Sequence, residues 1–337
     1  SDGLNRRQDF SRQGFEFSPN NKVFTFDGYF KYSPAPKKAS SYAWKTALQA
    51  PAVIAPQIIV DERGEHSILI QDEQHFLYRI NTNGEILWRK SLPGKILSPI
   101  QSIRTDDSAP AVYAFNTDQH IYLMDAAGVP MPSFPIHLQS PATNGMTVVD
   151  FANRREFAFY LACANGNVYG FDLRGRPITG WNPLSGVGQV TKAIRHFQKG
   201  PNDFFVMQNE AGHLLGFRRN GQARFDLPTA ARAFLSGPDF QVSGQSSRIV
   251  TTDVNGNVYV STLRGNTFKL AMEVGDNQAM QFQFADVFGD SRKDYIGLNK
   301  AHLACYWYED NAFLKAFEYE FDVPQSEVFP VQLQGED

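Results

Sequence analysis

Cysteine is nearly absent. The 337 residues carry two, Cys163 and Cys305, too few to staple a fold of this length, so a disulfide-built scaffold is excluded. Both cysteines fall inside expected strands of different repeat units, where buried free thiols are the expectation. Long apolar runs are lacking too. None approaches the roughly 20 residues of a membrane-spanning helix, so no transmembrane segment is expected. Charge of one sign is missing: 32 Lys and Arg stand against 35 Asp and Glu, a net −3. That gives no basic footprint for nucleic acid, and none is expected as a partner. Arg6-Arg7 and Lys37-Lys38 are too short to make a basic patch and read as solvated. Few runs carry a 3.6-residue apolar period, which removes the helical classes. A polar segment stands at Ser1, where a secretory leader would be charged and then apolar. The chain reads equally as cytoplasmic, as a mature chain, or as a domain of a longer protein.

Aromatics and turn residues are what the chain does have: 28 Phe, 13 Tyr and 26 Gly. Asn165-Gly166-Asn167-Val168-Tyr169-Gly170-Phe171-Asp172-Leu173-Arg174-Gly175 reads as turn, short strand, turn. The same pattern recurs with Tyr78, Tyr122, Tyr169, Leu215, Tyr259 and Ala304 in register, at spacings of 44 to 47 residues. A period in the mid-forties made of short strands predicts an all-β fold, a β-propeller of four-stranded blades. In the third unit the strands are expected at 146–151, 156–162, 167–173 and 177–184. Asn165-Gly166 is expected to form a two-residue hairpin turn with positive φ at both positions. The six units fall at about 51–92, 97–138, 141–184, 188–228, 230–270 and 280–321.

Residues 1–13 are polar and expected to be disordered, ahead of a single domain over 14–337. Strands are expected at 15–17, 23–26 and 29–32, with turns at 20–21 and at Asp27-Gly28. Residues 14–48 would supply the later strands of a seventh blade and 327–333 its innermost strand, closing the ring from both termini. Closure matters because an open ring leaves sheet edges and apolar faces uncovered. Seven blades are the expectation and six the alternative.

Three constellations are candidates for chemistry. Ser140, Thr143, Asn144, Gln189, Arg195 and His196 lie where loops would surround the mouth of the axial channel, and could bind a small ligand or glycan. Asp286, Asp290 and Asp294 lie in Asp286-Val287-Phe288-Gly289-Asp290-Ser291-Arg292-Lys293-Asp294. That spacing resembles the calcium loops of FG-GAP propeller repeats, which implies calcium as the one candidate cofactor. Phe288 stands where that loop has Asn, Ser291 where it has its second Gly, and Lys293 adds a competing charge. The competing reading is a turn whose aspartates accept backbone N–H groups. His120, His213 and His302 recur at equivalent positions, but three different blades keep their rings from meeting at one ion. No nucleophile elbow, zinc-protease helix or phosphate loop is present, so a non-catalytic role is expected.

Two resemblances add to this. Gly84-Glu85-Ile86-Leu87-Trp88 with Leu92 resembles the PQQ-type propeller repeat of quinoprotein dehydrogenases and of the outer-membrane assembly lipoprotein. Trp88 recurs as Trp44 and Trp181, with Phe134 and Phe225 elsewhere. The dehydrogenases' cofactor pocket has no counterpart here, so this resemblance implies scaffold and not redox chemistry. Over about 22–228, Tyr29-Phe30-Lys31-Tyr32, Trp44, Leu69-Ile70-Gln71-Asp72, Ile86-Leu87-Trp88 and Ser140-Pro141-Ala142-Thr143-Asn144-Gly145 follow in order. That succession is similar to the C-terminal propeller of long Bacteroidetes proteins of unknown function. It implies the C-terminal part of a larger, exported protein, in the periplasm or cell envelope, and carries no assigned activity. A scaffold that docks a protein partner through its loops is the expected role, with small-ligand or glycan binding at the channel mouth as the alternative.

Overall fold

The computed structural model describes residues 10–20, 23–32, 44–60, 64–105, 109–228, 238–242, 247–253, 257–263, 266–272, 281–309 and 312–322; residues 10–32, 270 and 271 are described by backbone alone. Among the described residues there is no helix. Six antiparallel sheets follow one another along the chain, and in each the strands pair in sequence order. The first unit shows the pattern: Gln57–Val60, His66–Gln71, Phe76–Asn81 and Ile86–Ser91. Five of the six sheets have four strands. The third has Thr147–Phe151, Glu156–Ala162 and Val168–Asp172. Its expected fourth strand is reduced to two bridges, Val168 with Leu184 and Phe171 with Pro177. The residues explain this. Pro177 and Pro183 have no N–H to give a ladder, and Gly180 at φ +84° turns the chain out of the strand conformation.

Each sheet buries its faces on its neighbours in the chain. Ile103, Val112 and Leu123 of the second sheet share a core with Phe159, Leu161 and Phe171 of the third. Tyr160, Val149 and Val168 of the third share one with Phe205, Met207 and Leu215 of the fourth. Further cores join the first sheet to the second, the fourth to the fifth and the fifth to the sixth. Burial on both faces is why the inner strands do not alternate: all five residues of Val112–Asn116 and all six of Asp294–Asn299 are buried. Both cysteines are buried and unpaired. Burial raises both thiol pKa values, that of Cys163 to about 12.

The hairpins are set by side chains that cap the end of one strand. Asp125 Oδ1 accepts the N–H groups of Ala127 and Val129, and Asp172 Oδ1 those of Arg174 and Arg176. A glycine in the left-handed region follows at the fourth position, Gly128 at φ +72° and Gly175 at φ +73°. This conformation is easy only without a Cβ. The Asn165-Gly166 turn differs from expectation. Gly166 has φ +74° while Asn165 is not among the positive-φ residues. Gly166 N–H bonds to Cys163 O and Cys163 N–H to Asn167 O. The three-residue loop, with one left-handed glycine, needs strain at one position instead of two.

The recurring tryptophans latch one blade to the next. Trp88 Nε1 donates to Ala126 O at 2.8 Å, and Trp181 Nε1 donates to Arg219 O at 2.8 Å. In both cases the outermost segment of a blade reaches the last hairpin of the following unit. The Trp44 ring lies against Gly84 closely enough that a Cβ there would meet it at 2.7 Å.

The N-terminal part departs from expectation. Phe10–Asn20 and Val23–Tyr32 form one long hairpin that pairs with itself. Asn20 pairs with Val23, and Asn21 of the expected turn lies outside the described residues; Asp27-Gly28 is no turn but lies within the second strand, opposite Glu16 and Phe15. Arg12 to Asn20 pair without interruption with Lys31 back to Val23, which a turn at 27–28 would break. The first strand begins at Phe10, inside the segment expected to be disordered. The expected closing strand at 327–333 lies outside the described residues.

Candidate functional site

In a meander sheet, turns between first and second and between third and fourth strands share one edge. The second-to-third turn and the crossing to the next sheet share the other. The expected mouth residues belong mostly to this second edge, and the chain itself occupies them. Thr143 Oγ1 donates to Val190 O at 2.6 Å, and Asn144 Nδ2 to Lys192 O at 2.9 Å. Asn144 is buried, and its Oδ1 accepts Ala162 N–H at 3.0 Å. Gln189 Nε2 donates to Ala164 O at 2.8 Å, and Ser140 Oγ accepts Asn165 N–H at 3.1 Å. These bonds stitch the segment entering the fourth blade to the third. Gln71 performs the same task two boundaries earlier, binding Gly94 O and Ile96 N–H, and one boundary earlier Asn116 Oδ1 accepts Met146 N–H.

Arg195 and His196 belong to the first strand of the fourth blade, Arg195–Lys199. Arg195 Nε donates to Pro238 O at 3.0 Å. His196 Nε2 lies 2.8 Å from Asp203 Oδ1, and burial lowers the imidazole pKa in spite of that carboxylate. A neutral ring donates its Nε2–H to Asp203. The six residues are thus dispersed over two blade boundaries, with their polar groups engaged.

The three aspartates of the calcium-like loop are engaged in the same way. Asp286 accepts the N–H groups of Gly289, Asp290 and Ser291; Asp290 Oδ1 accepts that of Arg292; Asp294 Oδ2 accepts that of Val287. Arg292 Nε also bonds Asp290 at 3.0 Å. Among the described residues no group of three or more His, Cys, Asp or Glu side chains is placed to hold a metal ion. The carboxylates expected for calcium thus cap a turn, held by backbone donors and an arginine. The histidines are spread as well: His213 Nδ1 lies 2.5 Å from Asp226 Oδ1, whereas His120 neighbours His137 at 4.9 Å between ring centres.

Asp294 gives a pH prediction. It is buried, and burial is the largest influence raising its pKa from 3.8 to about 6, with the charges of Asp290 and Asp286 adding to it. Between pH ~4 and ~6 the folded chain therefore holds a proton that the unfolded chain has lost, and stability falls as pH rises through that window. Asp294→Asn keeps an acceptor for Val287 N–H and removes the buried charge. The variant is expected to unfold at higher urea than wild type at pH 7.5, with a flatter pH dependence between 4 and 6. A lower midpoint at pH 7.5 overturns this.

One large cleft opens on the other edge, between the third and fourth blades, with a volume of about 1110 Å³. Phe151, Phe157, Tyr160, Leu173 and Ile178 provide its apolar surface. Its rim carries Arg174, Arg176, Arg218, Arg219 and Arg224 against Glu156, Asp172 and Asp203. Arg219 stacks over Phe151 at 3.6 Å and pairs with Glu156 at 3.1 Å; Arg224 stacks over Phe204 at 4.1 Å. Arg176 pairs with Asp172 at 2.7 Å. This cleft was not among the expected sites. The signal was there: the last hairpin carries arginines at its tip in two consecutive units, Arg174 and Arg218-Arg219, each just ahead of the turn glycine.

Consecutive antiparallel meanders, five of four strands and one of three, each packed on its chain neighbours, define a β-propeller. No family model and no curated protein matches the chain. Solved propellers do resemble it in fold. BBS1N, crystallised in complex with ARL6DN, superposes with a TM-score of 0.55 at 15% identity, covering 83% of this chain and 84% of that one. The Dos1 propeller gives 0.56 at 8% identity, covering 83% and 76%. BamB from Moraxella catarrhalis gives 0.48 at 16% identity, covering 90% and 78%.

Proposed function

We propose that this propeller is a protein-interaction scaffold without chemistry of its own. The observation that carries the reading is the state of the mouth residues. Thr143, Asn144 and Gln189, the polar side chains best placed to hold a small ligand, bond the protein's own carbonyls. A ligand there would have to replace bonds already made, at a cost for each polar group left unpaired. What remains accessible is a rigid ring of short loops, a suitable platform for a partner surface. BBS1N, a neighbour in fold, is itself seen in a complex, with ARL6DN.

The test pairs two measurements. Cross-linking in native cells is expected to join loop residues of this chain to one recurrent partner protein. A thermal-shift screen of glycans and small metabolites is expected to leave the melting temperature unmoved, because only a ligand specific to the folded form raises it. A small molecule that stabilises wild type, and stops doing so in Ser140→Ala or Gln189→Ala, sinks the scaffold reading in favour of a ligand site at the mouth.

A further inference from the structure

The cleft between the third and fourth blades is built for a particular kind of occupant. Five arginines face three carboxylates there, a local excess of two positive charges on a chain whose net charge is −3. No lysine lines it. Guanidinium groups present a flat fork that matches a carboxylate bidentately, which an ammonium group does not. Arg219 and Arg224 are held in place by stacking on Phe151 and Phe204, so part of the ordering cost is met before anything binds. Arg174 and Arg218 are exposed, and no ion pair to either is found among the described residues. They are charges still available to a partner.

Size and surface narrow the class. At about 1110 Å³, the cleft stands at the upper end of the ~300–1,000 Å³ of small-molecule sites, with room for a peptide segment. Half-buried Phe157, Leu173 and Ile178 line it together with the arginines. An extended peptide offers side chains of both kinds at alternate positions. A nucleic acid would lay continuous phosphate past Glu156, Asp172 and Asp203, at a repulsive cost that a peptide avoids by leaving apolar residues there.

Resting on the scaffold reading, we infer that this cleft docks an extended acidic segment of a partner protein, its carboxylates on Arg174 and Arg218 and its apolar side chains on Phe157 and Ile178. The probe is a fluorescein-labelled peptide of about ten residues, ~33–36 Å when extended, alternating Glu with Leu or Phe. Its Gln counterpart and a labelled oligo-dT serve as comparisons. Fluorescence anisotropy is expected to show saturable binding of the Glu peptide that weakens with salt. The Gln peptide and Arg174→Glu/Arg218→Glu are each expected to lose at least about tenfold in affinity. Arg174→Lys/Arg218→Lys keeps the charge and is expected to lose less. Both positions are exposed, so circular dichroism and melting temperature should match wild type, and Phe157→Ala gives an independent variant at the apolar side. No binding of the Glu peptide, equal binding by the Glu double variant, or stronger binding of oligo-dT overturns the assignment. Such a failure leaves the scaffold reading to its cross-link map, while a small ligand at the mouth sinks that reading without touching the peptide result.

Discussion

Trp181→Ala is expected to lower the free energy of unfolding by about 3–5 kcal/mol, the range for deleting a large aromatic from a core. Trp181 is fully buried at 0% exposure, in contact with residues of both blades that flank it. Its ring meets Tyr160 edge-on at 4.9 Å, Phe205 at 4.8 Å and Phe217 at 6.0 Å. A Cβ on Gly170 would come within 2.8 Å of the Trp181 Cβ, so the backbone beneath is also closely packed. The neighbouring strand cannot collapse far into the space an alanine leaves, because Tyr160 is held between its own sheet and Phe205. Trp181→Phe separates packing from the latch. It keeps most of the ring contact and loses the bond to Arg219 O, and about 1–2 kcal/mol is expected. Tyr160→Phe removes a buried hydroxyl with no hydrogen-bond partner among the described residues. It is expected to change stability by no more than ~0.5 kcal/mol. Urea unfolding of the three variants checks the order; Tyr160→Phe as damaging as Trp181→Ala would mean that the shared core is not what holds these blades together.

Much of this was legible in the chain, for a physical reason. A repeat writes each turn several times, so Gly84, Gly128, Gly175 and Gly221 announce the last hairpins together, and the spacing of Tyr78, Tyr122 and Tyr169 announces the blade. Trp88 and Trp181 were visible as outer-strand residues. Their bonds to the next blade were not, since a donor reaching a backbone carbonyl leaves no trace in the acceptor's side chain. The same limit explains the mouth. Thr143, Asn144 and Gln189 were correctly placed on loops, but sequence cannot say that the carbonyls of Val190, Lys192 and Ala164 fill the space first. Asp286 and Asp290 looked like ligands because carboxylates in a tight turn serve calcium and backbone N–H groups equally well; which one they serve depends on loop geometry. The cleft is hard to see in the chain because its arginines come from two units and meet only when the blades pack. Asp27-Gly28 shows the opposite error: a local turn signal yielded to the continuous pairing of two long strands.

Gly180→Ala is expected to cost at least about 2 kcal/mol more than Gly186→Ala, and the comparison isolates the cause. Both glycines lie in the left-handed region, Gly180 at φ +84° and Gly186 at φ +78°, so both alanines bear the same conformational penalty, about 1–2 kcal/mol. Gly186 has nothing within 4 Å of an added Cβ. Gly180 has Asn220 O at 2.1 Å, and a Cβ on the facing Gly221 would meet Gly180 O at 2.2 Å. These are backbone atoms of adjacent blades, and no rotamer change relieves them. The third and fourth blades must part, and the parting falls one residue from each end of the Trp181 to Arg219 latch. The two perturbations should therefore share their damage: Gly180→Ala and Trp181→Ala combined are expected to cost clearly less than the sum of the two, as residues at one contact do. Additive values would place the backbone contact and the latch in separate units. Because Arg218 and Arg219 move with that hairpin, Gly180→Ala should also weaken the acidic peptide, whereas Gly186→Ala should bind it as wild type does.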